Sequence, residues 1–551
     1  MKVPAALHLR KVNLISGMER ERLPWWNHWR TLADYYLPSR YVTLETDKER
    51  RVSRRNDKIL DSTGTRAARV LASGMMNGIT SPARPWFKLR IIGIDDENPA
   101  ASAWTDEVER RMLRVMAESN FYQAMAMLYL DLVIFNTACA FILEHERKVI
   151  NCYNPPLGEF YLMQGADHHV NGLGRQFRLN VHQVVEEFGE ENVSPRVLDA
   201  WKAGNARLLE EVEIVHLIEP NLGYETGVPP QFRYIEYYWE KGQSTGLMLR
   251  RRGWEDFPAI APRWELTGND VYGTGPGMEA LGDVIQLQHE TMKKAQGLDK
   301  LVSPPVLVDI QLQNKPTALL PNGVTFVPRL DATNGARPIY TVNPPLGEMT
   351  ADLRDIQARI RETFHNELFQ MISQLDTVRS AAEIDARREE KLVLLGPVLE
   401  RFESEGLDPA IKRIFAIMDR KGLLPPPPEE LQGGELEIQY VSILSSAQSA
   451  VGTAPIERWL ALIGNLVQVF PEAREVPDVI ELIRDYGRDI GVKAKNIKPR
   501  RQIEEAIAAR NKMAEEDRGM EQAAVAAQGA KTLSETEVGG GVNAIQALLG
   551  G

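Results

Sequence analysis

Two runs of apolar residues at helical spacing, held apart by a stretch that cannot be helical, constrain this chain more than any other feature. The first run carries Met278, Leu281, Ile285, Met292 and Ala295. The second carries Met349, Leu353, Ile356, Ile360, Phe364, Leu368, Met371 and Leu375 in steps of three or four. That period marks amphipathic helices. The stretch between them, Ser303 to Pro345, is rich in Pro and Gly and holds strand-like runs at Val306 to Ile310, Val324 to Val327 and Ile339 to Val342. Two helices of about 25 to 30 residues, each ~40 Å long, therefore flank a small β-rich insertion. So slender a hairpin cannot bury both faces of both helices by itself.

The segments before the hairpin mix both kinds of structure. Pro24 stands at a plausible first turn, and Trp25, Trp26, Trp29, Leu32 and Tyr36 follow at helical spacing up to Pro38. From Ser62 or Thr63 a helix with Val70, Leu71, Met75 and Ile79 is expected to stop at Ser81-Pro82 and give way to a strand from Trp86 to Ile92. Residues from Trp104 to about Phe135 read as helix. From there to about Pro262 the pattern is strand-rich, with turns at Asn154-Pro155-Pro156 and Asn171-Gly172.

Beyond the second hairpin helix a break falls at Ser373 to Arg379, and Ser380-Ala-Ala-Glu383 offers a capping box for a new helix. That helix is charged at first and then apolar through Leu392, Leu395, Val398, Leu399 and Phe402, with Gly396-Pro397 a place for a kink. A helix from Pro409 to Lys421 stops at Gly422, ahead of the rigid run Pro425 to Pro428. A strand at Leu436 to Ile443, helical segments near Ile456 to Val469 and Val479 to Tyr486, and a helix from Pro499 complete the pattern. The Gly- and Ala-rich tail after that helix reads as weakly ordered.

The fold class is thus mixed α+β, mainly α. An apolar fraction of 43% with 26% charged residues belongs to a folded protein. The most apolar stretch, Leu128 to Leu143, contains Asp131 and Asn136 and is too short to cross a bilayer, so no membrane partner is expected. Met1 to Arg10 lacks a secretory h-region, which points to the cytosol. Cys139 and Cys152, the only cysteines, exclude a disulfide scaffold and read as buried side chains.

The net charge of -11 disfavours a protein that grips nucleic acid through clustered cations. It is compatible with a conduit, whose wall should repel phosphate rather than trap it. In the basic stretch Lys48 to Arg55, Asp47, Glu49 and Asp57 intervene, which favours a solvated face or a subunit contact over DNA binding.

Catalytic and cofactor signatures are missing. Gly273, Gly275 and Gly277 lack the Gly-Lys-Ser/Thr ending of a phosphate loop and the spacing of a dinucleotide fingerprint, and read better as a flexible entry to the next helix. Among nine histidines there is no His-Glu-x-x-His, His168-His169 are adjacent, and His145 sits between Glu144 and Glu146 without a third ligand. No Gly-x-Ser-x-Gly elbow occurs. The chain is expected to be no enzyme, with no catalytic residue, metal or cofactor.

Three blocks carry a resemblance. They are Leu60 to Leu89 (LDSTGTRAARVLASGMMNGITSPARPWFKL), Tyr272 to Leu281 (YGTGPGMEAL) and Ala382 to Lys391 (AEIDARREEK), the last continuing through Leu394 to Arg401, with Ile438 to Ser442 (IQYVS) after the proline run. In this order, over roughly Arg20 to Gln448, they resemble the head-to-tail connector, or portal, family of T7-like short-tailed phages. Two departures are a residue other than proline near Ile443 and a tail after about Lys493 without a counterpart.

The resemblance implies a ring of about twelve subunits with clip, stem, wing and crown regions, at the capsid vertex of a virion. Double-stranded DNA would pass through it without sequence recognition during packaging and ejection. The implied partners are the terminase large subunit, scaffold and major capsid protein, and tail adaptor or nozzle proteins. The corresponding division is 1–262 for an N-terminal helix and α+β wing, 263–302 for a first stem helix and 303–345 for the clip. A second stem helix takes 346–374, a channel loop 375–380, a long wing helix with its following strand 381–445, and crown and tail 446–551. Leu375, Asp376, Thr377, Val378, Arg379 and Ser380 would lie nearest the DNA. Lys293, Lys294 and Arg379 are candidate channel-facing cations, which a salt bridge between subunits explains equally well. The competing readings are another virion structural protein, such as a tail adaptor or tube component, and an enzyme with a scattered active site.

Overall fold

The longest regular element of the larger part of the protein begins well before its expected start. In the computed structural model, α1 spans Ala5–Tyr36, with Pro24 inside it. Its buried side chains, His8, Lys11, Ile15, Met18, Arg22, Trp29, Leu32, Ala33 and Tyr36, follow three- and four-residue steps. Three of them are basic, so the first half does not register as an apolar stripe. Pro24 cannot donate to the Arg20 carbonyl, but both residues are exposed and water can take that acceptor. Placing the start at Pro24 is therefore corrected.

The structure describes residues 2–40, 58–91, 99–223, 228–243, 246–303, 306–308, 336–338, 344–367, 395–428, 436–440 and 500–535, with single positions between 459 and 483. Its contacts divide it into two units, and nearly all described elements belong to the larger. The described part of the smaller is chiefly the final helix, Arg500–Glu535, whose side chains are largely exposed. The expected weakly ordered tail lies outside the described residues.

After α1 come α2 (Thr63–Ile79), β1 (Phe87–Ile91), α3 (Pro99–Glu118) and α4 (Phe121–Phe135). Strands β2 (Ala140–His145) and β3 (Val149–Tyr153) form a hairpin, joined on the other side of β2 by Ala259–Ile260. An antiparallel five-stranded meander is built from β4 (Phe160–Gln164), β5 (Val170–Asn180), β6 (Glu211–Pro220), β7 (Tyr234–Glu240) and β8 (Arg250–Trp254) in sequential order.

The first half of α1 lies on this meander, with Ile15 and Met18 among Tyr161, Val215, Leu217, Tyr237 and Trp239. Lys11 pairs with Glu219 beneath the Tyr237 ring. Arg22 Nη1 donates to the carbonyls of Leu157, Gly158 and Phe160 at 2.9, 3.1 and 2.9 Å. The second half reaches the helices, where Trp29 Nε1 donates to the Phe135 carbonyl at 3.1 Å and Tyr36 meets the Phe364 ring.

Asn171-Gly172 is corrected from a turn to part of β5; the chain reverses at 165–169, where His168 takes a left-handed φ of 61°. Two short helices, α5 (Val181–Phe188) and α6 (Pro195–Ala203), interrupt the strand-rich region. An Asn180/Gln183 capping box starts the first, and Ser194 caps the second while Glu240 holds its hydroxyl at 2.6 Å.

A polar cluster is also buried around His216 within the sheet. His216 Nε2 donates to Glu236 at 2.9 Å, Arg252 Nε donates to the other carboxylate oxygen at 2.7 Å, and Tyr238 stacks on the imidazole at 4.0 Å. Burial pushes His216 down to about 4, so the imidazole is neutral at physiological pH.

Candidate functional site

The two rods appear as α7 (Leu281–Val302) and α8 (Leu346–Thr363). They run antiparallel, with Arg359 Nη2 bonded to Asp283 at 2.9 Å and Lys294 Nζ donating to Thr350 at 2.8 Å. Between them, Val306–Val308 pairs antiparallel with Ala336–Pro338. The expected strands Val324 to Val327 and Ile339 to Val342 lie outside the described residues.

The second rod is interrupted earlier than its periodicity suggests. Phe364 turns into the body against Tyr36, His365 adopts a φ of 50°, and helix resumes only at 366. An L-residue in that region breaks the helical hydrogen-bond ladder.

The hairpin is buried at its base and exposed farther along α7. On α7, Leu281, Val284, Leu287 and Gln288 are buried, as are Leu353, Ile356 and Ile360 on α8. Farther out, Met292, Leu298, Leu301 and Val302 are 40%, 47%, 44% and 73% exposed. A soluble single chain gains nothing by holding such side chains in water.

Hydrogen bonds tie the base to the start of α2. Gln288 Oε1 accepts the N–H groups of Leu60 and Asp61 at 2.7 and 2.8 Å, and its Nε2 donates to the Asp61 carbonyl at 2.9 Å. Gln357 Nε2 and the Thr63 N–H each donate to the Asp61 carboxylate at 2.7 Å. Burial opposes the Asp61 charge, but these bonds outweigh it and hold the carboxyl below its usual range. Gln288→Ala orphans two backbone donors, and chemical unfolding should show a loss of about 2 kcal/mol.

The glycine cluster serves packing. A Cβ on Gly273 would lie 2.4 Å from the Asn136 oxygen, one on Gly275 2.5 Å from the Trp264 ring, and one on Gly277 2.0 Å from the Ile134 oxygen. Glycine alone allows this segment to pass over the end of α4. Tyr272 beside it is fully buried, accepts the Leu162 N–H at 3.1 Å and meets Trp29 edge-on at 5.2 Å.

A second junction joins residues far apart in the sequence. The fully buried Arg263 donates from Nε and Nη2 to both oxygens of Glu405, at 3.0 and 2.8 Å. It also reaches Gln164, the Val271 carbonyl and the His168 carbonyl, at 3.1, 3.2 and 2.6 Å. Glu405 stands in a π turn, Glu403–Leu407, between a helical stretch at 395–402 and α9, Asp408–Arg420.

Two features of sequence cause that turn. Pro409 has no N–H to give the Glu405 carbonyl. The buried stripe Leu395, Leu399, Phe402 also steps by five to Leu407 before resuming at Ile411, Ile414 and Met418. The extra residue in the π turn brings both stripes onto one face. The phase slip was the readable signal.

Of the sequence-derived site residues, Leu375, Asp376, Thr377, Val378, Arg379 and Ser380 lie outside the described residues, as does Lys48 to Arg55. Lys293 is exposed, whereas Lys294 is held within the hairpin by Thr350. His145 Nδ1 accepts the N–H groups of Arg147 and Lys148 in the β2–β3 turn. Cys139 and Cys152 are buried, and burial pushes the Cys152 thiol up to about 12. Among the described residues, no group of three or more His, Cys, Asp or Glu could hold a metal, and no helix is long and apolar enough to cross a membrane.

The described residues thus present structural junctions and a hairpin whose outer side chains are exposed. Residues 12–497 match the family described as bacteriophage head to tail connecting protein. The chain is 39% identical over 536 residues to the portal protein of Salmonella phage epsilon15, covering 96% of this chain and 95% of that one. It is 37% identical over 522 residues to the probable portal protein of Bordetella phage BPP-1, covering 94% and 93%. The chain belongs to this family and is a non-enzymatic portal protein of the phage head–tail connection.

Proposed function

We propose that about twelve copies close into a ring at one capsid vertex, through whose opening double-stranded DNA is packaged and later ejected. The observation that carries this reading is the hairpin, sealed to the body at its base and uncovered toward its tip. In the ring, α7 and α8 are the stem and 303–345 is the clip toward the tail. The body with its meander forms the wing, and 446–551 contributes the crown. On the three blocks named above, we place the chain with the T7-like short-tailed lineage.

The ring docks the terminase large subunit during packaging, scaffold and major capsid protein during assembly, and tail adaptor or nozzle proteins afterward. Leu375 to Ser380 form the channel loop, since they join the second stem helix to the helix that leads into the Glu405 turn. Arg379 is the cation nearest DNA. Lys293 is exposed, where either DNA or a neighbouring subunit can meet it.

Deleting Asp376 to Arg379 should leave rings intact while impairing genome packaging or retention. Normal genome filling by that variant, measured as DNA content per particle, would remove the channel-loop assignment.

A further inference from the structure

We infer that the outer face of α7 docks on the outer face of α8 of a second copy, Ile285 and Met292 seating over Ala358 and Ala351 while His289 and Lys293 face Asp355 and Glu348. The inference rests on the proposed ring and names the contact that closes it.

Ile285 and Met292, seven residues apart on one face of α7, are 37% and 40% exposed. Along one edge of that pair run His289, Lys293 and Lys300, all exposed, together with Gln286 and Gln296. The nearby carboxylates Asp283 and Glu290 are engaged by Arg359 and Gln286 of the same chain. Asp299 lies toward the other edge of the Ile285–Met292 row.

On α8 the exposed Ala351 and Ala358 are also seven apart, and so present two shallow sockets on one face. Glu348, Asp355 and Glu362, all exposed, follow one edge of the alanine row at seven-residue steps. Arg354 and Arg361 follow the other. One helix thus offers large apolar side chains beside cations, and the other offers small ones beside carboxylates.

The heights agree as well. The Asp283–Arg359 and Lys294–Thr350 bonds set the register within the hairpin. Two residues beyond Asp283 and one before Arg359, Ile285 is level with Ala358. Two before Lys294 and one beyond Thr350, Met292 is level with Ala351. His289 falls beside Asp355 and Lys293 within one turn of Glu348.

Rotation about a ring axis preserves height, so the same levels meet between neighbours when the stem runs along that axis. Two right-handed helices packed antiparallel also bring the basic edge of α7 and the acidic edge of α8 to the same side of the contact. Because the two docking faces lie on opposite sides of the hairpin, the contact repeats from copy to copy and closes heterologously.

Chains carrying Met292→Cys and chains carrying Ala351→Cys would be co-expressed, the assembled protein treated with a short bifunctional maleimide, and the products separated under denaturing conditions. Covalent dimers are expected from the mixture and not from either variant alone. In parallel, Lys293→Glu should raise the protein concentration needed for assembly about tenfold, and Glu348→Lys in the same chain should restore it. Rings visible by electron microscopy that give no dimer, or a Lys293→Glu effect that Glu348→Lys does not reverse, would overturn this pairing while leaving the ring standing. Absence of rings from the unmodified protein would overturn the ring itself.

Discussion

Gly277→Ala is expected to destabilise the protomer by at least ~3 kcal/mol, read as a fall in the urea midpoint at unchanged slope. The added methyl would stand 2.0 Å from the Ile134 carbonyl oxygen and 2.7 Å from its carbon, both backbone atoms in the last turn of α4. Neither can rotate away as a side chain could. Ile134 is fully buried, and the following Asn136 ends α4 in a left-handed conformation with φ 59°. Withdrawal of α4 would also disturb the Trp29 bond to Phe135 and the packing of Gly273 against Asn136. The control is Gly282→Ala, a few residues along in α7, where nothing lies within 4 Å of the added atom. That change should be neutral or stabilise by up to ~1 kcal/mol through helix propensity. Equal small effects at the two sites would contradict the close-approach account of the glycine cluster.

Arg263→Ala should cost about 3–5 kcal/mol, because it leaves the Glu405 carboxylate buried without its cation. Glu405 is only 7% exposed, so water cannot replace the guanidinium. Arg401, at 3.3 Å from the Glu405 carboxylate, compensates in part. The substitution also orphans the Gln164 oxygen and the Val271 and His168 carbonyls. Replacing both partners, Arg263→Met with Glu405→Leu, should recover most of the loss, since no unpaired charge remains. A double variant as unstable as the two single losses combined would show that the hydrogen bonds to Gln164, Val271 and His168, rather than the ion pair, hold this junction.

The readable parts of the fold were those set by local chemistry. Ser81-Pro82 marks the end of α2 because proline geometry acts within a few residues, whereas at its start Ser62 makes no side-chain cap and the Thr63 N–H goes to Asp61 instead. The hairpin was legible because apolar residues at three- and four-residue steps leave few other foldings. Pro24 misled because the stripe before it is made partly of His8, Lys11 and Arg22, which are buried through partners more than a hundred residues away. Likewise, α5 and α6 are too short to carry a convincing period, although their caps at Asn180 and Ser194 stood in view.

The junctions escaped for a different reason. Arg263 and Glu405 are 142 positions apart, and nothing local distinguishes either from a surface charge. The five-residue step from Phe402 to Leu407, taken with Pro409, is the one trace that the π turn leaves in the sequence. Among the site residues, Lys294 was legible as a cation of the hairpin but not as the partner of Thr350, which depends on the register between two helices.

The claim on which the rest depends is that the uncovered rods are held by copies of themselves around an axial opening. Electron microscopy of the purified full-length protein, over a range of salt concentrations, tests it most directly. Closed rings with a central hole that admits duplex DNA are the expected result. A monodisperse single chain at every salt concentration, with α7 and α8 still exposed, would contradict it.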